Sequence, residues 1–298
     1  MLIIAVVVAF NFNAILDFGR ANQIEQSAKK AIDAHFWEKG IQLYEEGHQQ
    51  FPDNTNISLR LAWLYRQNQQ NRKAEDVYRT ILKKNPGQLE ARMALADLLK
   101  NDPKRINAAI IELRQALKEH PKNPQLLASI GNVYKTAAEN PEEKRESIQK
   151  WLFGQARYYY QQSLKLESKQ FFTQFNLGMV YQNMDDHAAA AQAYCQALLV
   201  NPNSYEARYN LGLVLSDLNF EQEAYRQMGR SIQILSDRNE MQMAQNLAVK
   251  VQNVKNKIFN SHRPTMSAQE IPPFLDKGCL VQPMASQNDS PSSSKEME

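Results

Sequence analysis

Apolar and polar positions along this chain follow a helical period, and the pattern itself recurs. Phe175-Asn176-Leu177-Gly178 and Tyr209-Asn210-Leu211-Gly212 are the same phrase 34 residues apart. Pro52 to Pro86, Tyr44 to Tyr78, Ala28 to Ala62 and Ala62 to Ala96 repeat that interval. Within a unit, small and large residues alternate at helical spacing over two runs, and a proline ends the second. The pattern predicts an all-α array of helix pairs, A then B, each packed on its neighbours instead of around one central core. With the proline position taken as the end of each unit, the units span 21–54, 55–88, 89–123, 124–170, 171–204 and 205–238.

Leu61, Ala62, Tyr65, Ala74, Tyr78 and Pro86 in the second unit, and Leu177, Gly178, Tyr181, Ala190, Tyr194, Ala197 and Pro202 in the fifth, carry a resemblance to the tetratricopeptide repeat family. The resemblance implies a right-handed superhelical solenoid of about six helix-turn-helix units with a C-terminal capping helix. Physically, Ala or Gly at 62, 96, 131, 178 and 212 lets helix B approach helix A, and the rings fill the groove beside it. The first unit is poorer, with Gly40 and Gly47 in helix B, and the sixth has Ser236 in place of proline. Terminal units of an array carry one face without a neighbour, so weak ends are expected. Met243, Leu247, Val251, Val254 and Ile258 lie at helical spacing in a closing helix over 239–260.

Two units depart from the pattern. In the third, Asp102-Pro103 supplies an N-cap and a first-turn proline that restart the chain as helix B. In the fourth, 13 additional residues separate Gly131 and Tyr134 from Ala156 and Tyr160. There Asn140-Pro141-Glu142-Glu143 reads as a capped helix start, so helix B is expected to begin about three turns early. That extension carries Ile148, Trp151 and Leu152, either packed on a neighbouring repeat or forming a secondary docking surface.

In family members that bind peptides, helix A lines a concave groove. Carried over to the fifth and sixth units, the resemblance puts Phe172, Phe175, Asn176, Met179 and Gln182, then Glu206, Tyr209, Asn210, Leu213 and Ser216, in that groove. Aromatic and aliphatic side chains there offer pockets, and each amide can both donate to and accept from a peptide backbone. The partner-binding candidates are therefore Phe172, Phe175, Asn176, Met179, Tyr209, Asn210 and Leu213. The alternative is that these rings pack on the next layer. Chaperone-binding relatives grip a C-terminal carboxylate with a clamp of Lys, Asn and Arg. Here Asn132 and Asn176 match that clamp, but Ala128, Glu206 and Asn210 stand where its cations belong, which disfavours a chaperone tail as ligand.

Charge narrows the partners. Thirty-five Lys and Arg against 32 Asp and Glu leave +3, without the concentrated basic surface that nucleic acid requires. His35, His48, His120, His187 and His262 have no metal-ligand spacing, and no phosphate loop or nucleophile elbow occurs. No catalysis, cofactor, metal or small-molecule substrate is expected; the partner is a protein or peptide. Cys195 and Cys279, with no paired CxxC spacing, read as ordinary free thiols.

The ends differ from the middle. Residues 1–18 begin MLIIAVVVAF and lack a basic start or a small-residue cleavage site, and Arg20, Lys29 and Lys30 follow. The expectation is a single-pass membrane anchor with the repeats cytoplasmic. The alternatives are a helix folded onto the first repeat, or a signal whose start codon lies upstream. Residues 261–298 are rich in Pro, Ser, Gln and Asn and read as a disordered tail, with Ile271-Pro272-Pro273-Phe274-Leu275 its one apolar island.

Overall fold

The computed structural model describes residues 2–260 and Cys279, with side chains described from 17 to 256 and at Cys279. Among these residues the regular structure is helical: α1 (Leu2–Asp33), α2 (Trp37–Gln50), α3 (Thr55–Gln67), α4 (Asn71–Lys84), α5 (Leu89–Leu99), α6 (Ile106–Glu119), α7 (Pro124–Ala138), α8 (Glu146–Leu166), α9 (Phe171–Asn183), α10 (His187–Val200), α11 (Tyr205–Asp217), α12 (Glu221–Asp237) and α13 (Met241–Asn260). They form two compact units, Met1–Pro121 with α1 to α6 and Lys122–Glu298 with α7 to α13.

The small residues do the work the spacing predicts. Ala62, Ala96, Gly131, Gly178 and Gly212 are all buried on the A helices. A Cβ on Gly131 would stand 2.6 Å from the Tyr160 ring, and one on Gly178 would stand 2.7 Å from the Tyr194 ring. Each glycine therefore is the seat of a tyrosine from helix B, and both tyrosines are fully buried. Five turns use a residue with positive φ to reverse from one helix to the next: His35, Gln69, Asp185, Asn219 and Asn239. At each, the next amide donates across the turn, as Gln70 N–H does to Tyr65 O at 2.8 Å and Phe220 N–H to Leu215 O at 2.8 Å. This is the Schellman pattern that satisfies the last carbonyls of a helix.

The two atypical units lack that turn. Asp102 caps a single 3-10 turn, Pro103–Arg105, its carboxylate accepting from Lys104 N–H at 3.0 Å, and α6 follows. In the fourth unit the expected helix start is displaced. Asn140 closes a turn by accepting from Glu142 N–H at 3.1 Å, and α8 begins only at Glu146. The Asn140-Pro141 signal is thus spent on a turn. Even so, α8 has 21 residues against the 14 of α4 and α10, an excess of about two turns, not three.

Three further expectations need correction. Among the described residues no helix is long and apolar enough to cross a membrane, so the anchor over 1–18 and the localisation built on it do not stand. α1 runs on through the polar stretch after Asp17, and its buried Ala21, Ala28 and Ala31 face α2; the side chains of 1–16 lie outside the described residues. The cysteines are not free thiols: Cys195 and Cys279 form a disulfide across 84 residues, with Cα atoms 5.3 Å apart. No local spacing could announce a bond closed over that distance. In α13, Met243 is exposed, and Ala244 with Leu247 meets α12 instead. The side chain of Ile258, and the tail over 261–298 including 271–275, lie outside the described residues, apart from Cys279.

Candidate partner-binding groove

The A helices of the fifth and sixth repeats, α9 and α11, carry the predicted groove residues. Phe172 is 76% exposed. Its ring meets Phe171 edge to face at 5.1 Å, and Phe171 stacks on Phe175 at 6.0 Å. Phe175 then leans on Tyr194 at 5.7 Å, so a row of rings runs from solvent into the core along α9. Phe175 and Met179 are half-buried and pack against the α10–α11 cluster. Tyr209 is also half-buried, against Leu235, Ala244 and Leu247 of α12 and α13. Leu213 is half-buried as well. These rings thus pack on the next layer, and each keeps an uncovered portion.

The asparagines are tied into the helix stack by a ladder of amides and phenols. Tyr160 donates to Asn132 Oδ1 at 2.6 Å, and Asn176 Nδ2 donates to the same oxygen at 3.0 Å. Tyr194 donates to Gln182 Oε1 at 2.9 Å, and Asn210 Nδ2 reaches the Tyr194 hydroxyl at 3.5 Å. Asn132 and Asn176, the two that matched a carboxylate clamp, thus grip each other. Asn176 keeps its Oδ1 without a partner among the described residues, an acceptor still on offer. Burial, with Glu139 adding, holds Tyr160 well above the ordinary phenol range, and burial does the same for Tyr194 although Asn210 opposes it. Both remain phenols, and therefore donors, throughout the neutral range.

The secondary surface lies on α8. Trp151 is 56% exposed while its ring edge meets Tyr134 at 6.0 Å; Tyr134 also stacks on Tyr159 at 5.7 Å. Ile148 and Leu152 are half-buried. Tyr158, seven residues beyond Trp151, is exposed too and was not anticipated.

Sequence reasoning also missed a paired device. Arg208 donates from Nε and Nη2 to Pro202 O, at 3.1 and 2.8 Å, and from Nη1 to Gln227 Oε1 at 2.9 Å. Arg92 donates to Pro86 O at 2.5 Å and to Glu112 Oε2 at 2.6 Å. Each arginine stands six residues after the repeat proline, and that shared offset was the available signal.

Residues 31–98 and 173–204 match family models described as tetratricopeptide repeat. Over those two stretches the chain carries tetratricopeptide repeats. The photosystem I assembly protein Ycf3 of Acaryochloris marina is 37% identical over 59 residues, 19% of this chain and 36% of Ycf3 itself. Among solved structures, a thermophilic tetratricopeptide-repeat protein of Thermus thermophilus aligns with a TM-score of 0.53 at 16% identity, over 67% of this chain and 97% of its own. PilW, a type IV pilus biogenesis factor, aligns with a TM-score of 0.60 at 16% identity, over 75% of this chain and 97% of its own. At such identities the two structures bear on the fold alone, and the first is itself a tetratricopeptide-repeat protein.

Proposed function

We propose that this tetratricopeptide-repeat protein is a noncatalytic adaptor whose α7, α9 and α11 face holds an extended segment of a protein partner. The observation that carries this reading is Phe172, a large ring exposed beside a row of half-covered apolar side chains with the Asn176 acceptor among them. A bound strand would bury the uncovered parts of Phe172, Phe175, Met179 and Leu213, while Asn176 Oδ1 accepts from its backbone. Similarity over 59 residues to a protein named for assembly is in keeping with such a role. The second reading makes the chain a structural subunit that docks through α8, favoured by the exposed Trp151 and Tyr158 on one helix.

Selection of displayed peptides on the full chain separates the two. Peptides held in the groove should lose at least about tenfold in affinity to Phe172→Asp and be indifferent to Trp151→Asp. Loss with Trp151→Asp alone would transfer the function to α8. Each side chain is more exposed than covered and makes one ring contact, so either change should lower the melting temperature by only a few degrees.

A further inference from the structure

Within this chain a tyrosine ring twice sits on a glycine: Tyr160 covers Gly131, Tyr194 covers Gly178, and a Cβ on either glycine would collide with its ring. α8 carries both halves of that contact unused. Gly154 lies in its interior, and a Cβ there would meet nothing within 4 Å. Glycine is the costliest residue after proline in a helix interior, and packing inside the chain gives no reason for it here. One turn on, Tyr158 is 54% exposed, its ring meeting Tyr159 edge to face at 5.3 Å. Ser147, Trp151, Gly154, Tyr158 and Lys165 follow one another at helical spacing along a single stripe, on which all but Gly154 are exposed.

We infer, on the reading that α8 is a docking helix, that its partner is a second copy of this chain: two copies pair antiparallel along α8 about a two-fold axis between Gly154 and Tyr158, each Tyr158 seated on the other copy's Gly154. An isologous contact requires one surface to supply both halves, and α8 does. A foreign partner would need a ring of its own for Gly154 and a seat of its own for Tyr158. Trp151, 56% exposed, then lies against the other copy's Gln162. Charge selects the antiparallel sense. Glu146 opens the helix with its side chain 78% exposed and paired to the exposed Lys150, while Lys165 stands exposed near the other end. About the Gly154–Tyr158 axis, Lys165 comes opposite Ser147 and beside the other copy's Glu146. A parallel pair would set Lys165 against Lys165 and Glu146 against Glu146, and the helix dipoles also favour the antiparallel sense.

Sedimentation of the full chain over concentrations reaching about 100 µM tests the pairing. The mass should pass from monomer to dimer, and Gly154→Glu should weaken association at least about tenfold, because a charged side chain takes the place of the seated ring. A Cβ at 154 meets nothing inside the chain, so the helical circular dichroism of that variant should match the unaltered protein. A mixture of Gly154→Cys and Tyr158→Cys chains, oxidised and cut with trypsin, reads the register without relying on that variant. Cleavage after Lys150, Arg157 and Lys165 places the new thiols in 151–157 and 158–165. The expected product is a 151–157 peptide linked to a 158–165 peptide; links between like peptides alone overturn the pairing. A chain that stays monomeric at every concentration, or a dimer indifferent to Gly154→Glu, overturns it as well. Where such a monomeric chain still loses a selected peptide through Trp151→Asp, α8 docks a foreign protein, and the second copy falls while the docking helix stands.

Discussion

Arg92 and Arg208 occupy the same place in two different repeats and complete it with different chemistry. Both donate back to the carbonyl of the preceding repeat proline, Pro86 or Pro202. Arg92 then meets a carboxylate, Glu112, whereas Arg208 meets an amide, Gln227, whose own Nε2 donates to Glu223 at 2.6 Å. The contrast extends through the two units. In Met1–Pro121 the helices are stitched by charge: Arg66 to Asp97 at 2.5 Å, Arg105 to Glu75 at 2.5 Å, and the Tyr65 hydroxyl to Glu45 at 2.6 Å. From Lys122 onward a ladder of Asn132, Tyr160, Asn176, Gln182, Tyr194 and Asn210 ties the helices instead. A repeat fold constrains where the stitch falls and leaves its chemistry open. Charged stitches are tuned by salt and pH; amide stitches depend on burial and geometry.

The largest effect should come from breaking the two arginine stitches in parallel. Arg208 is 1% exposed, and its loss would leave Pro202 O and the Oε1 of the fully buried Gln227 without their donor. Arg92→Met leaves Glu112, whose side chain is 23% exposed and open to hydration. Urea unfolding should show Arg208→Met destabilised by about 3 kcal/mol and Arg92→Met by about 1–2. Equal losses would mean that the amide and carboxylate stitches are energetically alike, and the contrast would lose its physical content.

A smaller effect tests the seats beneath the tyrosines. Gly178→Ala would press a methyl into the Tyr194 ring and disturb its bond to Gln182. Overpacking of about 1–3 kcal/mol outweighs the gain of about 1 kcal/mol from replacing glycine in a helix. In the second repeat the same slot already holds Ala62, fully buried. Ala62→Gly should therefore cost about 1 kcal/mol through helix propensity alone. Thermal melts of the two reciprocal variants decide the matter; a stabilised Gly178→Ala would show that the ring shifts freely and that the ladder is loose.

The period of 34 was enough to read the helix pairs, because Ala62, Gly178 and Gly212 are repeated where backbone approach demands a small side chain. The turns were less legible: Gln69 takes a positive φ that its residue type does not favour, and the Asn140-Pro141 start proved to be a turn before the longer α8. At the candidate groove, Phe172 and Asn176 could be named from the resemblance. The partial commitment of Asn176 to Asn132, and of Tyr209 to Ala244 and Leu247 of α13, could not, since such pairings across the sequence leave no local signal. The Cys195–Cys279 bond was invisible for the same reason.

Acid should produce the smallest difference, and it should fall on the first unit. Burial alone would raise Asp97, but Lys100 and Arg66 outweigh it and hold the carboxyl below its ordinary range; Arg105 and Arg79 do the same for Glu75. A carboxyl depressed in the folded state contributes stability above its unfolded value, about 4, and loses it as pH falls through the folded value. In the second unit, the carboxyls held low by such partners are Glu143 and Glu146, exposed at the start of α8, where pairing counts for little. Alkali does not discriminate, because burial raises Tyr65 and Tyr78 in one unit as it raises Tyr160 and Tyr194 in the other, and each contribution is lost above about 10. Trp151→Phe leaves Trp37 and Trp63 to report on the first unit, and the double change Trp37→Phe with Trp63→Phe leaves Trp151 for the second. Fluorescence titrated downward from about pH 5 should show the first unit loosening earlier, and Asp97→Asn should make that unit weaker at neutral pH yet flatter in its acid response. Coincident transitions in the two single-unit reporters would mean that charge and amide stitches are lost together, and that the units do not differ in what holds them.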